Sequence, residues 1–277
     1  MGLFDRSAER RRQALLRKLP GPASGTSGQS ALYRYLATPL PEPSTPIRDL
    51  RLLAIDAETT GLDPSRDQML SVGFVPLDPL PASQNSASQD PASQDPASHH
   101  PAAPPPQGAG THEIVLGGSG SLLVRPQSSP SPSSLPHPGV GDSATVHGLT
   151  DDRVATGRPL TEVIDHVLDA LAGRVLLAHF TRIEVGHLTR AVRDLHGIDL
   201  PVVSIDTLEL QFRIWGSDAD RIPNGALRLW AARDQYGLPE YPAHDAYVDA
   251  LACAELFLAQ LADEQLPLGA RTLRDLQ

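Results

Sequence analysis

The chain has 277 residues, a formal charge of −10 at pH 7 and a single cysteine. Its length suits one catalytic domain with appendages, since domains usually run to about 100–200 residues. The lone Cys253 excludes an intramolecular disulfide framework and a zinc site built on several thiolates, and the acidity excludes a protein that coats nucleic acid by bulk positive charge.

Residues 1–49 read as a basic N-terminal helix followed by a Pro/Ser/Gly-rich linker from residue 19. The helix, over 5–18, carries Arg6, Arg10, Arg11, Arg12, Arg17 and Lys18 against Asp5 and Glu9; a docking helix and a nucleic-acid contact both account for it. The apolar run Leu52 to Ile55 predicts a buried strand that leads into Asp56, Glu58 and a turn at Gly61, and Met69 to Leu77 predicts its hairpin partner. Between Pro79 and Gly110 the theme PASQN, SASQD, PASQD, PASHH has no apolar face at either the helical or the strand period, so it reads as a disordered insertion in a hairpin loop. His99 and His100 read as its solvated tip.

Ser121 to Arg125 reads as a further strand. Leu160, Val163, Ile164, Val167, Leu168 and Leu171 have helical spacing within Pro159 to Leu171. Val175 to Ala178 and Val202 to Ile205 predict short buried strands, while Ile183 to Leu195, Ala226 to Tyr236 and Ala246 to Leu261 predict helices. Strands first, then alternating helix and strand, indicate an α/β domain over 50–262 with a mixed sheet covered by helices, followed by a tail over 263–277. No run of about 18 apolar residues and no secretory core occurs, so no membrane partner and a cytoplasmic location are expected.

Asp56-Ala57-Glu58 places two carboxylates two residues apart at a strand end, and strand alternation points both to one face. Their repulsion in a cleft is relieved by a hard divalent cation; by spacing alone, two solvated acids at a strand end account for the pair equally well. Glu184 near the start of a central helix, and Asp249 early in the last long helix, five residues after His244, supply further acids able to converge on the same cleft. Cys253 reads as a small core residue.

Taken together, the segments resemble the exonuclease superfamily of proofreading subunits and ribonuclease T, in the branch whose fifth residue is histidine. Asp56-x-Glu58-Thr59-Thr60-Gly61-Leu62 looks like its first motif, Leu176-Leu177-Ala178-His179-x-x-x-x-Glu184 its second, and His244-x-Ala246-x-x-Asp249-Ala250 its third. Val146-His147-Gly148-Leu149-Thr150 falls where the family has a similar His-Gly stretch. The four matches keep the family order across about residues 50–262. Two positions depart: Glu184 stands where the family usually has aspartate, as in a subset of bacterial relatives, and Phe180 where it usually has asparagine.

The resemblance implies a ribonuclease H-like fold with a five-stranded mixed sheet flanked by helices, and 3′→5′ exonuclease activity releasing nucleoside 5′-monophosphates. It implies two Mg²⁺ or Mn²⁺ ions held by Asp56, Glu58, Glu184 and Asp249, with His244 as general base, a role suited to imidazole as a class. Thr59, Leu62 and His147 become the expected substrate contacts, His147 also shaping the loop into the helix N-cap Thr150. The expected partner is the 3′ end of single-stranded DNA, in replication or repair proofreading beside a polymerase; RNA ends fit the same phosphodiester chemistry. Gln265-Leu266-Pro267-Leu268-Gly269 faintly resembles a sliding-clamp peptide. A second reading is a nucleic-acid-binding module in which Glu184 is misplaced for turnover.

Overall fold

The computed structural model describes residues 5–19, 27–80, 112–126, 140–263, 266 and 272–277. The expected insertion over about 79–110 lies, apart from its first two residues, outside the described residues, as do His99 and His100.

A six-stranded mixed sheet carries the fold, in the order β3-β2-β1-β5-β6, with β4 also paired to β2. β1 (Leu52–Thr59) and β2 (Met69–Pro79) form the predicted antiparallel hairpin. β3 (His112–Ile114) and β4 (Gly120–Leu123) both run antiparallel to β2. β5 (Val175–Ala178) and β6 (Ser204–Asp206) extend the sheet in parallel from β1. The sheet therefore has one strand more than the resemblance implied; the extra pairing is the three-residue β3, too short for its period to show in the sequence.

Helices flank the sheet on both faces, and β2 shows how. Gly73 presses against the main chain of Ala246, at the start of α9 (Ala246–Leu261), where an added Cβ would lie 1.9 Å from the Ala246 carbonyl oxygen. The next residue, Phe74, packs its ring 4.9 Å from His166 of α5 (Leu160–Leu171). Successive strand residues point to opposite faces, so α9 and α5 lie on opposite sides. α5 buries Val163, Ile164, Val167, Leu168 and Leu171, five of the six positions its spacing predicted. α6 (Arg182–His196) joins α5, ending at Gly197 in the left-handed conformation. α7 (Thr207–Ile214) and α8 (Leu229–Asp234) join α9.

The segment expected as linker carries a helix, α2 (Ser27–Ala37), packed on α5. Its Ala31, Leu32, Tyr35 and Leu36 are buried in the main core, and the Tyr35 hydroxyl donates to the Pro201 carbonyl at 2.7 Å. Serines and glycines near its start mask this apolar stripe. The basic helix α1 (Asp5–Leu16) packs on α2, with Arg12 buried, paired to Glu9 at 2.6 Å and donating to the Leu36 carbonyl. Of the two readings of this helix, its docking is what the described contacts display. At the other end, Leu273 donates its N–H to the Thr45 carbonyl and is buried with Leu276. The core thus runs across residues 49 and 263.

Truncating Leu36, which has no exposed surface, leaves a cavity between α2 and α5. Leu36→Ala is expected to lower the unfolding free energy by about 2–5 kcal/mol in urea denaturation. A change under about 0.5 kcal/mol, as for a surface residue, would make α2 an appendage and not part of the core.

Candidate active site

Strand β1 delivers two carboxylates to the α9 face. Asp56 lies opposite Gly73, and Glu58 opposite Ser71; directly opposed residues share a face, and Gly73 faces α9. The absent Gly73 side chain lets the start of α9 lie on the sheet beside Asp56. Between Glu58 and Thr59 the register shifts by a bulge, after which Thr59 pairs with Met69 and Thr60 N donates to the Gln68 carbonyl at 2.9 Å, closing the turn at 60–67. That turn is held by side chains: Thr59 Oγ1 donates to the Gly61 carbonyl at 2.7 Å, and Asp67 Oδ2 accepts from Asp63 N at 2.8 Å.

Two helix starts complete the group. Glu184 occupies the first turn of α6 and is 5% exposed; Asp249 occupies the first turn of α9 and is 7% exposed. Positive helix N-termini favour carboxylates at both places. Asp245 caps α9 by accepting from Tyr247 N and Val248 N, and Asp249 Oδ2 accepts from His244 N at 3.0 Å. His244 itself has φ 66°, in the left-handed region, and its side chain is exposed at the rim.

The strand and helices thus bring the predicted acids together. Ligand atoms of Glu58, His244 and Asp249 all lie within 4.8 Å of one another. Asp56 is pushed well above the usual carboxylate range by burial and by the charges of Glu184, Asp249, Glu58 and Asp245. Burial chiefly, then Asp249 and Asp245, raises Glu58 to about 7. Burial with the Asp206 charge raises Glu184 to about 8, and burial raises Asp249 to about 6 against the opposing His244 N–H.

Three buried oxygens in this group, Glu58 Oε1, Glu184 Oε2 and Asp249 Oδ1, have no hydrogen-bond partner among the described residues. Buried polar atoms are nearly always satisfied. Clustered, mutually repelling carboxylate oxygens are the donor set of a hard divalent cation; Glu58 and Asp249, with His244, are close enough to share one, a set that does not include Asp56 or Glu184.

The expected substrate contacts divide. Leu62 is 74% exposed at the tip of the turn, available for apolar packing. The Thr59 hydroxyl is engaged within the turn. His147, at the end of α3 (Ala144–His147), accepts from Leu149 N at Nδ1, lies 3.0 Å from Ser143 Oγ at Nε2, and lines a cleft of about 360 Å³ together with Glu58 and His244. Thr150 caps α4 (Asp151–Ala155) by accepting from Arg153 N, as its sequence position predicted. Leu266 is buried in the core; the other four residues of the clamp-like stretch lie outside the described residues.

Sequence reasoning passed over Asp206. Its Oδ1 accepts from Phe180 N at 2.9 Å and Leu208 N at 3.0 Å, and its Oδ2 from Thr181 N at 2.9 Å. One carboxylate thereby caps α7 and clamps the turn that leads to Glu184. It holds Phe180 at φ 75°, a conformation an asparagine adopts more readily than a phenylalanine. His179, between Thr207 Oγ1 and the Leu227 carbonyl, braces the same turn. Cys253 is buried, with its thiol pushed up by burial.

Residues 140–257 match the family described as Exonuclease. Among solved structures, E. coli Exonuclease I in complex with a dT13 oligonucleotide is 14% identical, with a TM-score of 0.51 over 79% of this chain and 42% of that one. The zinc-bound form of the E. coli ExoI–ssDNA complex is likewise 14% identical, with a TM-score of 0.52 over 79% and 42%. The chain therefore spans about two fifths of these structures and shares their fold. Comparison with curated proteins gives no match. No helix among the described residues is long and apolar enough to cross a membrane.

Carboxyls whose folded pKa is raised keep protons that the unfolded chain releases near pH 4, so their contribution is intact below that value and lost as pH rises through about 6 to 8. The metal-free protein is expected to lose thermal stability across this window. Mn²⁺ is expected to raise Tm more at pH 8 than at pH 5, and Asp56→Asn to raise the metal-free Tm at pH 8. Melting curves with EDTA or Mn²⁺ check both; a pH-independent metal effect would dissociate ion binding from the carboxylates.

Proposed function

We propose that this chain belongs to the DEDD-type exonuclease superfamily, a reading its match over residues 140–257 and its fold support, and that it is a divalent-metal-dependent hydrolase. It removes nucleoside 5′-monophosphates from the 3′ ends of single-stranded nucleic acid, with DNA as the expected substrate. The observation that carries this reading is the trio of buried, unpartnered carboxylate oxygens on Glu58, Glu184 and Asp249, drawn from a strand and two helices beside Asp56.

Asp56, Glu58, Glu184 and Asp249 would hold two Mg²⁺ or Mn²⁺ ions. Bound there, such ions supply positive charge against the phosphodiester and polarise it toward attack. His244, exposed at the rim and within 4.8 Å of Glu58 and Asp249 by ligand atoms, takes the proton of the attacking water. Its main chain is fixed for this by the hydrogen bond to Asp249 and the left-handed turn. Leu62 presents an exposed apolar side chain to the terminal base, and His147 shapes the neighbouring wall. Asp206 positions the Glu184 turn. The Glu184 charge raises the Asp56 carboxyl, which supports a place for this longer side chain in the shared group. Oligonucleotide complexes of the E. coli relative support a single-strand substrate. In a cell this chemistry suits proofreading or repair in the cytoplasm, beside a polymerase that supplies the frayed 3′ end.

Strands labelled at either end, DNA and RNA in parallel, test the proposal with Mg²⁺, Mn²⁺ or EDTA. The 3′ label is expected to leave first and only with metal. Asp56→Ala/Glu58→Ala is expected to abolish turnover, and His244→Ala to lower kcat by about 10²–10⁴. Folded wild-type protein that binds strands without releasing nucleotides from any of them would establish the binding-module reading instead; recovery of turnover in Glu184→Asp would then place the defect at that residue.

A further inference from the structure

The cleft that Glu58 and His244 line carries basic residues as well. Arg153 and Arg158 line it, together with Ser71, His147 and Thr156. Both arginines are exposed, and neither forms an ion pair or a side-chain hydrogen bond among the described residues. Ten other arginines pair with acids, while Arg182 and Arg228 are exposed and unpaired among the described residues as these two are; what sets Arg153 and Arg158 apart is that both line one cleft with Glu58 and His244.

Their main chains are nonetheless firmly placed. Arg158 N donates to the Leu123 carbonyl at 2.9 Å, and the Arg158 carbonyl accepts from Arg125 N at 2.8 Å, so it rides on the end of β4. Gly157 permits that approach, because a Cβ there would meet the Val124 carbonyl carbon at 2.7 Å. Arg153 stands on α4, anchored by the Thr150 cap and the buried Val154. A fixed backbone with unengaged guanidinium heads is the arrangement of an oxyanion clamp, since the planar fork matches phosphate and is already paid for in backbone entropy.

We infer that Arg153 and Arg158 hold a backbone phosphate of the substrate strand upstream of the bond that is cut. This rests on the exonuclease reading above. It adds a subsite that acts on strands and not on single nucleotides: an acid group at one end of the cleft for the scissile phosphate, a basic arm at the other for the next. The arm contributes to binding and positioning of the strand and touches no reacting atom.

The experiment compares Arg153→Ala/Arg158→Ala with wild type and with Arg153→Lys/Arg158→Lys. Substrates are a 3′-labelled ten-nucleotide strand and the p-nitrophenyl ester of thymidine 5′-monophosphate, which carries one phosphate only. For the strand, KM is expected to rise about ten- to a hundredfold in the alanine variant, with kcat within about twofold and the slope of log KM against log salt reduced by about one to two. The lysine variant is expected to recover part of the affinity, and ester hydrolysis to be unchanged in all three proteins. An unchanged strand KM and salt slope would overturn the inference, as would an equal rise in KM for the ester. Should wild-type protein turn over neither substrate, the exonuclease reading fails on its own. Fluorescence anisotropy of the labelled strand in Ca²⁺ then decides the arm separately: weaker, less salt-dependent binding in the alanine variant supports it, and equal binding overturns it.

Discussion

Four carboxylates carried by one strand end and two helix starts repel one another, and each is displaced upward in pKa by burial and by its neighbours. Such an arrangement does not assemble for its own stability, so the surrounding elements must hold it. Strand β1 fixes Asp56 and Glu58 through its pairing with β2 and β5. The other two acids sit in the first turns of α6 and α9, where helix N-termini offset part of the repulsion. Each start is tied by its own device: Asp206 clamps the turn before α6, and Asp245 with the His244–Asp249 hydrogen bond closes the turn before α9. What remains uncompensated, the three orphaned oxygens, is the part that the proposed cation would complete.

The packing that supports this lies partly outside what pattern reading detects. β1, β2, β5, α5 and α9 were legible because each repeats an apolar signal over several residues at a definite period. The acids were legible because they sit at fixed offsets from those signals. α2 was not, since Ser27, Gly28 and Ser30 obscure an apolar stripe formed by Ala31, Leu32, Tyr35 and Leu36. β3 spans three residues and lies beyond a long polar insertion, and α7 follows β6 with no intervening loop.

Contacts made by single residues across the chain leave even less trace. Gly73 reads as an ordinary interruption in a strand; only its contact with the Ala246 main chain shows why no side chain fits. Asp206 reads as a helix cap, which it is, but its second set of hydrogen bonds belongs to a turn 26 residues earlier. Arg153 and Arg158 read as scattered surface charge until β4 and α4 bring them to one cleft. A sequence reveals which groups can do chemistry more readily than which groups aim them.

That distinction resolves the tension between an acidic protein and the anionic substrate proposed for it. Net charge acts over distances that salt screens within about 8–10 Å, whereas a phosphate in the cleft meets only the groups nearest it. At one end those are carboxylates, whose field a bound cation reverses; at the other they are Arg153 and Arg158, already positive. A strand drawn between them would be bound by two local centres of positive charge inside a surface that repels nucleic acid elsewhere. Duplex held only by its backbone gains little from such a surface, while a single strand end narrow enough to enter the cleft reaches both centres. Preference for single-stranded ends would then follow from where the positive charge is confined, without any base being read.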